Sequence, residues 1–308
     1  MPECNARVAV VGGANMDIGG FPSARLVMGD SNPGKVRMTL GGVGRNIAEN
    51  LSRLGLEVHL ITALGNDTNG NAIINDCRAK GIHIDRCFMV NDMNTSVYLF
   101  MDDENGDLSC AINDMDIQLK ITPEALAPHM EFLNSMDAVV LDANLAQETI
   151  DFLAEKLSVP LYADAVSAAK VHKLRNALGR LYCFKPNRIE AELLCNMEIR
   201  DAIDGYEAVK RLLDTGIKRV FLTLGSLGAV CGDHEGCVFI PARKPEIVNT
   251  SGAGDAFTAA LVWGHMQGLS TKECGEAGMA AGTIAMETVS AVNPAMCAEK
   301  LIERMKSE

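Results

Sequence analysis

The stretch Asn249-Thr250-Ser251-Gly252-Ala253-Gly254-Asp255-Ala256-Phe257 runs two glycines and an aspartate straight into an apolar helical pattern. Gly252 and Gly254 leave backbone N–H groups bare of side chains where that helix begins. Such groups, together with the positive end of the helix dipole, form an anion site. Asp255 then places a carboxylate where a bound anion would be repelled. A chemical reason accounts for it. The carboxylate would be a base that takes a proton from a hydroxyl while the bare amides hold a phosphoryl group. The competing explanation is a glycine-rich turn whose aspartate merely caps its helix.

Strand and helix patterns alternate through most of the chain on the N-terminal side of this stretch. Val8–Val11, Val58–Ile61, Ala138–Leu141, Pro160–Ala163, Tyr182–Phe184 and Arg219–Leu224 read as short buried strands. Segments 46–54, 69–80, 149–157, 188–196 and 205–214 carry apolar residues at helical spacing. This order predicts an α/β fold with a doubly wound, mostly parallel sheet flanked by helices. Two regions break the alternation. Lys35–Leu40 has period two, and Ser96–Met101 and Leu108–Ile112 flank the turn-like run Asp102–Asp107. They predict a small antiparallel sheet standing off the main body, as a lid or a pairing surface, or else a decorated sheet edge. No linker or repeat divides the 308 residues, so one domain, 1–308, is expected, with excursions at about 17–40 and 95–113.

A net charge of -12 argues against a nucleic-acid surface but leaves room for a small anion held by amides. Ten cysteines without a C-x-x-C pair read mostly as small buried hydrophobes in a reducing compartment. No apolar run reaches a membrane span and no leader pattern opens the chain, so a cytoplasmic protein with no membrane contact is expected. Six histidines show no metal-ligand spacing, and His59 reads as a packed strand residue.

Gly29–Lys35 matches the letters of a phosphate-binding P-loop, but Val36 follows where Ser or Thr would bind magnesium and strand periodicity follows where a helix is needed. Other turns remain. Asn15 and Asp17, after the first strand, suit adjacent sugar hydroxyls, although Asx residues also simply favour turns. Gly41-Gly42-Val43-Gly44-Arg45-Asn46 opens a helix with room for a ligand. Asn187 and Glu190 have capping-box spacing, or they support hydrated magnesium at a triphosphate. Thr223, Gly225 and Gly228 form a strand-end turn suited to lining a nucleotide.

Taken in order, these segments resemble the ribokinase-like (PfkB) family of carbohydrate and nucleoside kinases over essentially the whole chain. Residues 41–46 look like its first signature, 249–255 its second, and Asn187–Glu190 its N-x-x-E. Within the family, Asp30–Lys35, Gly41–Asn46, Ala111–Met115 and Lys185–Arg188 look closest to the pseudouridine kinase branch, and Asp164–Ser167 resembles its D-P-V-S with Ala165 in place of proline. The resemblance implies ATP-dependent phosphorylation of a nucleoside 5′-hydroxyl. It casts Asp255 as base, with Gly252, Ala253 and Gly254 around the transferring group. Asn15, Asp17, Gly42, Asn46 and Asn113 would take the ribose. Asn187, Thr223, Gly225, Gly228 and Gly254 would take ATP, and Glu190 with Asn187 would hold Mg2+ through water. Asn249 replaces the usual acid where potassium-activated relatives hold their ion, which counts against K+ activation, although backbone carbonyls can bind one. By analogy, the small sheet is a surface for a homodimer. The alternatives are a kinase for another nucleoside or ribose, and a non-catalytic nucleoside-binding protein on the same fold.

Overall fold

The computed structural model describes residues 6–242 and 248–306. In chain order the elements are β1 (Arg7–Val11), β2 (Asn15–Pro22), β3 (Gly34–Gly41), α1 (Val43–Arg53), β4 (Glu57–Ile61), β5 (Ala63–Gly65), α2 (Thr68–Ala79), β6 (Ile82–His83), β7 (Phe88–Val90), β8 (Val97–Asp102) and β9 (Leu108–Asp114). There follow α3 (Pro123–Leu126), α4 (Met130–Asn134), β10 (Ala138–Asp142), α5 (Gln147–Lys156), β11 (Leu161–Asp164), β12 (Cys183–Phe184), α6 (Arg188–Cys195) and α7 (Ala202–Asp214). The chain continues with β13 (Arg219–Thr223), β14 (Gly228–Asp233), β15 (Gly236–Pro241), α8 (Ala253–Met266), α9 (Thr271–Met286) and α10 (Ala298–Lys306).

Among the described residues, nine strands form the main sheet in the order β15-β14-β13-β12-β11-β10-β1-β4-β6. It is parallel from β13 to β6, and β14 and β15 add an antiparallel edge. In β1 the run Val8–Val11 is wholly buried because helices cover both faces. Val8 and Val10 face one core, with Ile47, Leu51 and Leu261; Ala9 and Val11 face the other, with Leu133, Ile150 and Leu153. β1 lies between β4 and β10, so the chain winds away from it in both directions. The carboxyl ends of β1 and β10 therefore border a crevice, the usual ligand position in such sheets.

The small sheet has the order β3-β2-β8-β9. Its outer ladders are antiparallel, as expected, but the central pair, β2 with β8, is parallel. β2 was not expected: Gly12–Asp17 reads as a turn in sequence, whereas Asn15 and Asp17 begin a strand. Gly19, Gly20 and Pro22 interrupt the alternation that would mark it.

Two helices start three residues earlier than their apolar spacing suggests. α1 begins at Val43, after Gly42 with φ 97°, and α7 at Ala202, capped by the Asp201 carboxylate. α8 is buried from Asp255 to Gly264 because the sheet side and α9 enclose it. Of the cysteines, Cys77, Cys183, Cys231 and Cys274 are buried, Cys87, Cys195, Cys237 and Cys297 half-buried, and Cys110 exposed. Cys4 lies outside the described residues. Among the described residues, no helix is long and apolar enough to cross a membrane.

Candidate active site

Three backbone amides gather on one buried carboxylate at the crevice. Asp142, ending β10, accepts from Gly13 N at 2.8 Å and Gly44 N at 2.9 Å through Oδ2, and from Asn144 N at 2.9 Å through Oδ1. It ties the end of β1 to the start of α1. Burial raises its pKa and Asp164 adds to the rise, against the lowering effect of Gly13 and Asn144. Sequence reading missed Asp142. The available signal was a lone acid closing an apolar strand at the switch point.

α1 delivers Asn46 to α8. Asn46 Nδ2 donates to Asp255 Oδ2 at 2.8 Å. Asp255 stands in the first turn of α8, 8% exposed. Burial lifts its pKa from the usual 3.8 to about 7, and Asp164 adds to the rise; Asn46 and Lys185 oppose it. Lys185 Nζ lies 3.4 Å from Asp164 Oδ2, which also accepts from Thr258 Oγ1 at 3.1 Å. Burial disfavours the Lys185 ammonium, but Asp164, Glu190 and Asp255 together hold its pKa above the ordinary lysine value. Lys185 and Asp164 are a charge pair that motif reading did not assign. They place a cation beside the glycine turn, since a Cβ added at Gly254 would sit 3.2 Å from Lys185 Nζ.

The turn itself depends on Gly252, with φ 77°; a Cβ there would run into the Ala291 carbonyl. The Ala253 amide is directed at the Thr250 carbonyl, 3.4 Å away. The first-turn amides of a helix lack intrahelical partners, so this end of α8 can receive an anion.

Asn15 and Asp17 share one face of β2, and Asn15 Nδ2 donates to Asp17 Oδ1 at 2.5 Å. Burial raises the Asp17 pKa to about 6, against the lowering effects of Asn15 and Arg45. Gly42, at φ 97°, passes the chain from the small sheet into α1; a Cβ there would lie 2.5 Å from the Gly13 carbonyl. Registers align Thr39, Asp17, Tyr98 and Asn113 in one row across the small sheet. Tyr98, stacked on Phe100 at 5.6 Å, was also missed in sequence. Asn113 is exposed on the outermost strand and lines up with Asp17 only through Tyr98.

Asn187 and Glu190 form a reciprocal capping box at α6: Glu190 N donates to Asn187 Oδ1 at 3.0 Å, and Asn187 N to Glu190 Oε2 at 2.9 Å. Burial raises the Glu190 pKa, against Asn187 and Lys185. A buried carboxylate with a second oxygen at a helix start suits a hydrated Mg2+, which keeps most of its waters. Thr223 pairs with Asn187 in an isolated parallel bridge, and Gly225 and Gly228 turn β13 into β14 nearby. The structure thus gathers Asp255, Asn46, Gly254, Lys185 and Asp164, with Asn187 and Glu190 at the helix start just after Lys185 and Thr223 bridged to Asn187.

The Asn249 side chain is engaged within its own loop. Its Nδ2 donates to the Val289 carbonyl at 2.9 Å, and its Oδ1 accepts from Ser251 N at 3.0 Å. The amide closes the loop on itself.

The family model described as pfkB family carbohydrate kinase matches residues 5–296. Pseudouridine kinase of Escherichia coli (strain K12) is 33% identical over 302 residues, covering 97% of this chain and 96% of that protein. Guanosine-inosine kinase of Exiguobacterium acetylicum is 27% identical over 300 residues, covering 96% and 98%. The solved structure of Arabidopsis thaliana ribokinase complexed with ribose and ATP has a TM-score of 0.87 at 23% identity, covering 99% of this chain and 100% of that one; it shows the shared fold. The chain is accordingly a nucleoside or sugar kinase, a phosphotransferase with an alcohol acceptor, and it belongs to the pfkB family of carbohydrate kinases.

Proposed function

We propose that the protein phosphorylates the 5′-hydroxyl of a nucleoside with ATP, and that the nucleoside is pseudouridine. The observation that carries this reading is the Asp255 carboxylate, buried at the start of α8 in contact with Asn46 and with a pKa near neutrality. A base of that strength suits an alcohol proton at physiological pH. The 33% identity to a pseudouridine kinase over nearly the whole chain supports the substrate.

In this reading Asn15 and Asp17 receive the ribose diol. The partly desolvated Asp17 carboxylate gains two O–H donors when the sugar binds, which compensates for its burial. Gly42 allows close approach, and Asn46 orients both sugar and base. Tyr98 and Asn113, in the row with Asp17, face the nucleoside as the small sheet closes over it and excludes water. The 5′-hydroxyl proton passes to Asp255 as its oxygen bonds to the γ-phosphorus. The bond from that phosphorus to the β–γ bridging oxygen breaks and ADP leaves. The amides of Gly252, Ala253 and Gly254 stabilise charge on the transferring group, and Lys185 adds a fixed cation beside them. Magnesium bound with ATP neutralises the phosphates; Asn187 and Glu190 would hold it through water. Thr223, Gly225 and Gly228 line the nucleotide.

The outer face of the small sheet carries Val36, Met38, Leu99, Met101 and Ile112, all exposed. These alternate with the Asp17 row, so one face meets substrate and the other is apolar. We assign that apolar face to a second copy of the chain.

The deciding measurement is product formation with ATP and, separately, pseudouridine, uridine, guanosine, inosine and ribose. Pseudouridine is expected to give the highest kcat/KM, with pseudouridine 5′-phosphate as product. A higher kcat/KM for another acceptor refutes the substrate assignment. Binding of nucleoside and ATP without turnover refutes the catalytic one.

A further inference from the structure

A second cluster of chemistry-bearing side chains lies on β4 and β6. Glu57 opens β4 and His59 follows two residues later, so both side chains leave the same face of the sheet. β6 pairs with β4 in parallel and sets His83 directly beside His59. His59 Nε2 lies 3.0 Å from Glu57 Oε1, and the two imidazoles stack with centroids 4.6 Å apart. One donor atom from each of Glu57, His59 and His83 lies within 4.8 Å of the others.

A cavity of about 320 Å³ opens on this cluster, and Asp85, Arg86 and Phe132 complete its wall. Phe132 meets His59 edge-on at 5.0 Å and carries the Arg86 guanidinium 3.8 Å from its ring centroid. The arginine is thereby held on the ring. Asp85 is loosely paired with Arg78 at 3.8 Å, so it adds a second carboxylate to the pocket. Two imidazoles and a carboxylate suit a borderline ion such as Zn2+ rather than Mg2+, which demands octahedral oxygen ligands.

We propose that Glu57, His59 and His83 form a transition-metal site of the zinc class, with its remaining position open to water. β6 has only two residues and forms the edge of the main sheet. A metal bridging His83 to His59 and Glu57 would clamp that edge to β4. To ligate one ion the two imidazoles must turn out of their stack so that a nitrogen of each points at the same centre. The site binds metal independently of the phosphoryl-transfer crevice, so its ligands are dispensable for turnover.

The test is a Zn2+ titration of the purified full-length chain in competition with a chromogenic chelator, with thermal melts in parallel. The variants are His83→Ala and Glu57→Gln. Wild type is expected to take up one more Zn2+ per chain than His83→Ala, and its Tm to rise by roughly 3–6 °C at saturating Zn2+. Glu57→Gln is expected to weaken uptake about tenfold or more. His83 is exposed, so its replacement should leave the metal-free melt and the kinase rate unchanged. If His83→Ala melts lower without metal, Glu57→Gln carries the comparison. Equal uptake and equal Tm shifts in wild type and variants would place any bound zinc elsewhere, for instance on the thiols, and overturn the proposal.

Discussion

The Asn46 amide donates to the Asp255 carboxylate at 2.8 Å across 209 positions of sequence. This contact brings the first turn of α1 to the first turn of α8, so two positive helix ends converge on one buried acid. Burial and Asp164 work against its charge, while Asn46 and Lys185 work for it. The balance leaves a carboxyl that titrates near neutrality, and most of the expected behaviour follows from that balance.

Replacing Asp255 with Asn should lower kcat by roughly 10²-fold or more while the protein folds. It should also stabilise the protein at alkaline pH. The folded pKa of Asp255 is raised from 3.8 to about 7. Between those values the folded state keeps a proton that the unfolded state has lost, so this group's contribution to stability falls as pH rises. Melts of both proteins should show the variant's advantage widest at pH 8 and closing toward pH 4. Near wild-type turnover in the variant would exclude Asp255 as the base.

The pH profile should carry the same signature. With Asp255 as base, kcat/KM rises with pH through neutrality. Asn46→Ala removes a hydrogen bond that lowers the Asp255 pKa, so the rising limb should move to higher pH. A limb that stays in place would uncouple Asn46 from the titrating group.

Asp17→Asn tests the sugar site. Charge-assisted hydrogen bonds of this kind contribute about 1.5–3 kcal/mol, or roughly 10- to 150-fold in binding. The variant should raise KM for the nucleoside in that range and leave KM for ATP nearly unchanged. Equal changes in both constants would point to a folding defect instead.

Monovalent cations should not matter. Because the Asn249 amide bridges Ser251 N and the Val289 carbonyl, rates in potassium and in tetramethylammonium buffers of equal ionic strength should agree within about twofold. A large stimulation by K+ would show that other carbonyls of the loop hold the ion.

The apolar lid face predicts assembly. Wild type should sediment as a dimer, and Ile112→Glu, at a position 67% exposed, should sediment as a monomer with its fold intact. A monomeric wild type would leave that face without its assigned partner.

The main sheet was readable because its strands are buried on both faces and announce themselves as short apolar runs. β2 was not, since two glycines and a proline break its period-two pattern; the parallel centre of the small sheet went unread with it. The antiparallel edge formed by β14 and β15 also went unread. At the site, the glycine turn at 252–254 with Asp255, the 41–46 helix start and the Asn187–Glu190 box were all visible, because each is a local motif with fixed spacing. Asp142 and Tyr98 were not, nor was the pairing of Asp164 with Lys185, because each acts through a neighbour distant in the chain.

Local chemistry therefore named the fold class, the anion turn and the acid within it, since backbone propensity and residue type operate over a few positions. Through-space arrangement decided the rest. Whether Asp255 titrates near 7 depends on burial and on Asp164, Lys185 and Asn46, none closer than 70 positions in sequence. Whether His59 is a packed residue or a ligand depends on His83, which strand register alone places at its side. Electrostatic and coordination chemistry act over a few ångströms, and only the tertiary fold sets which groups come that close.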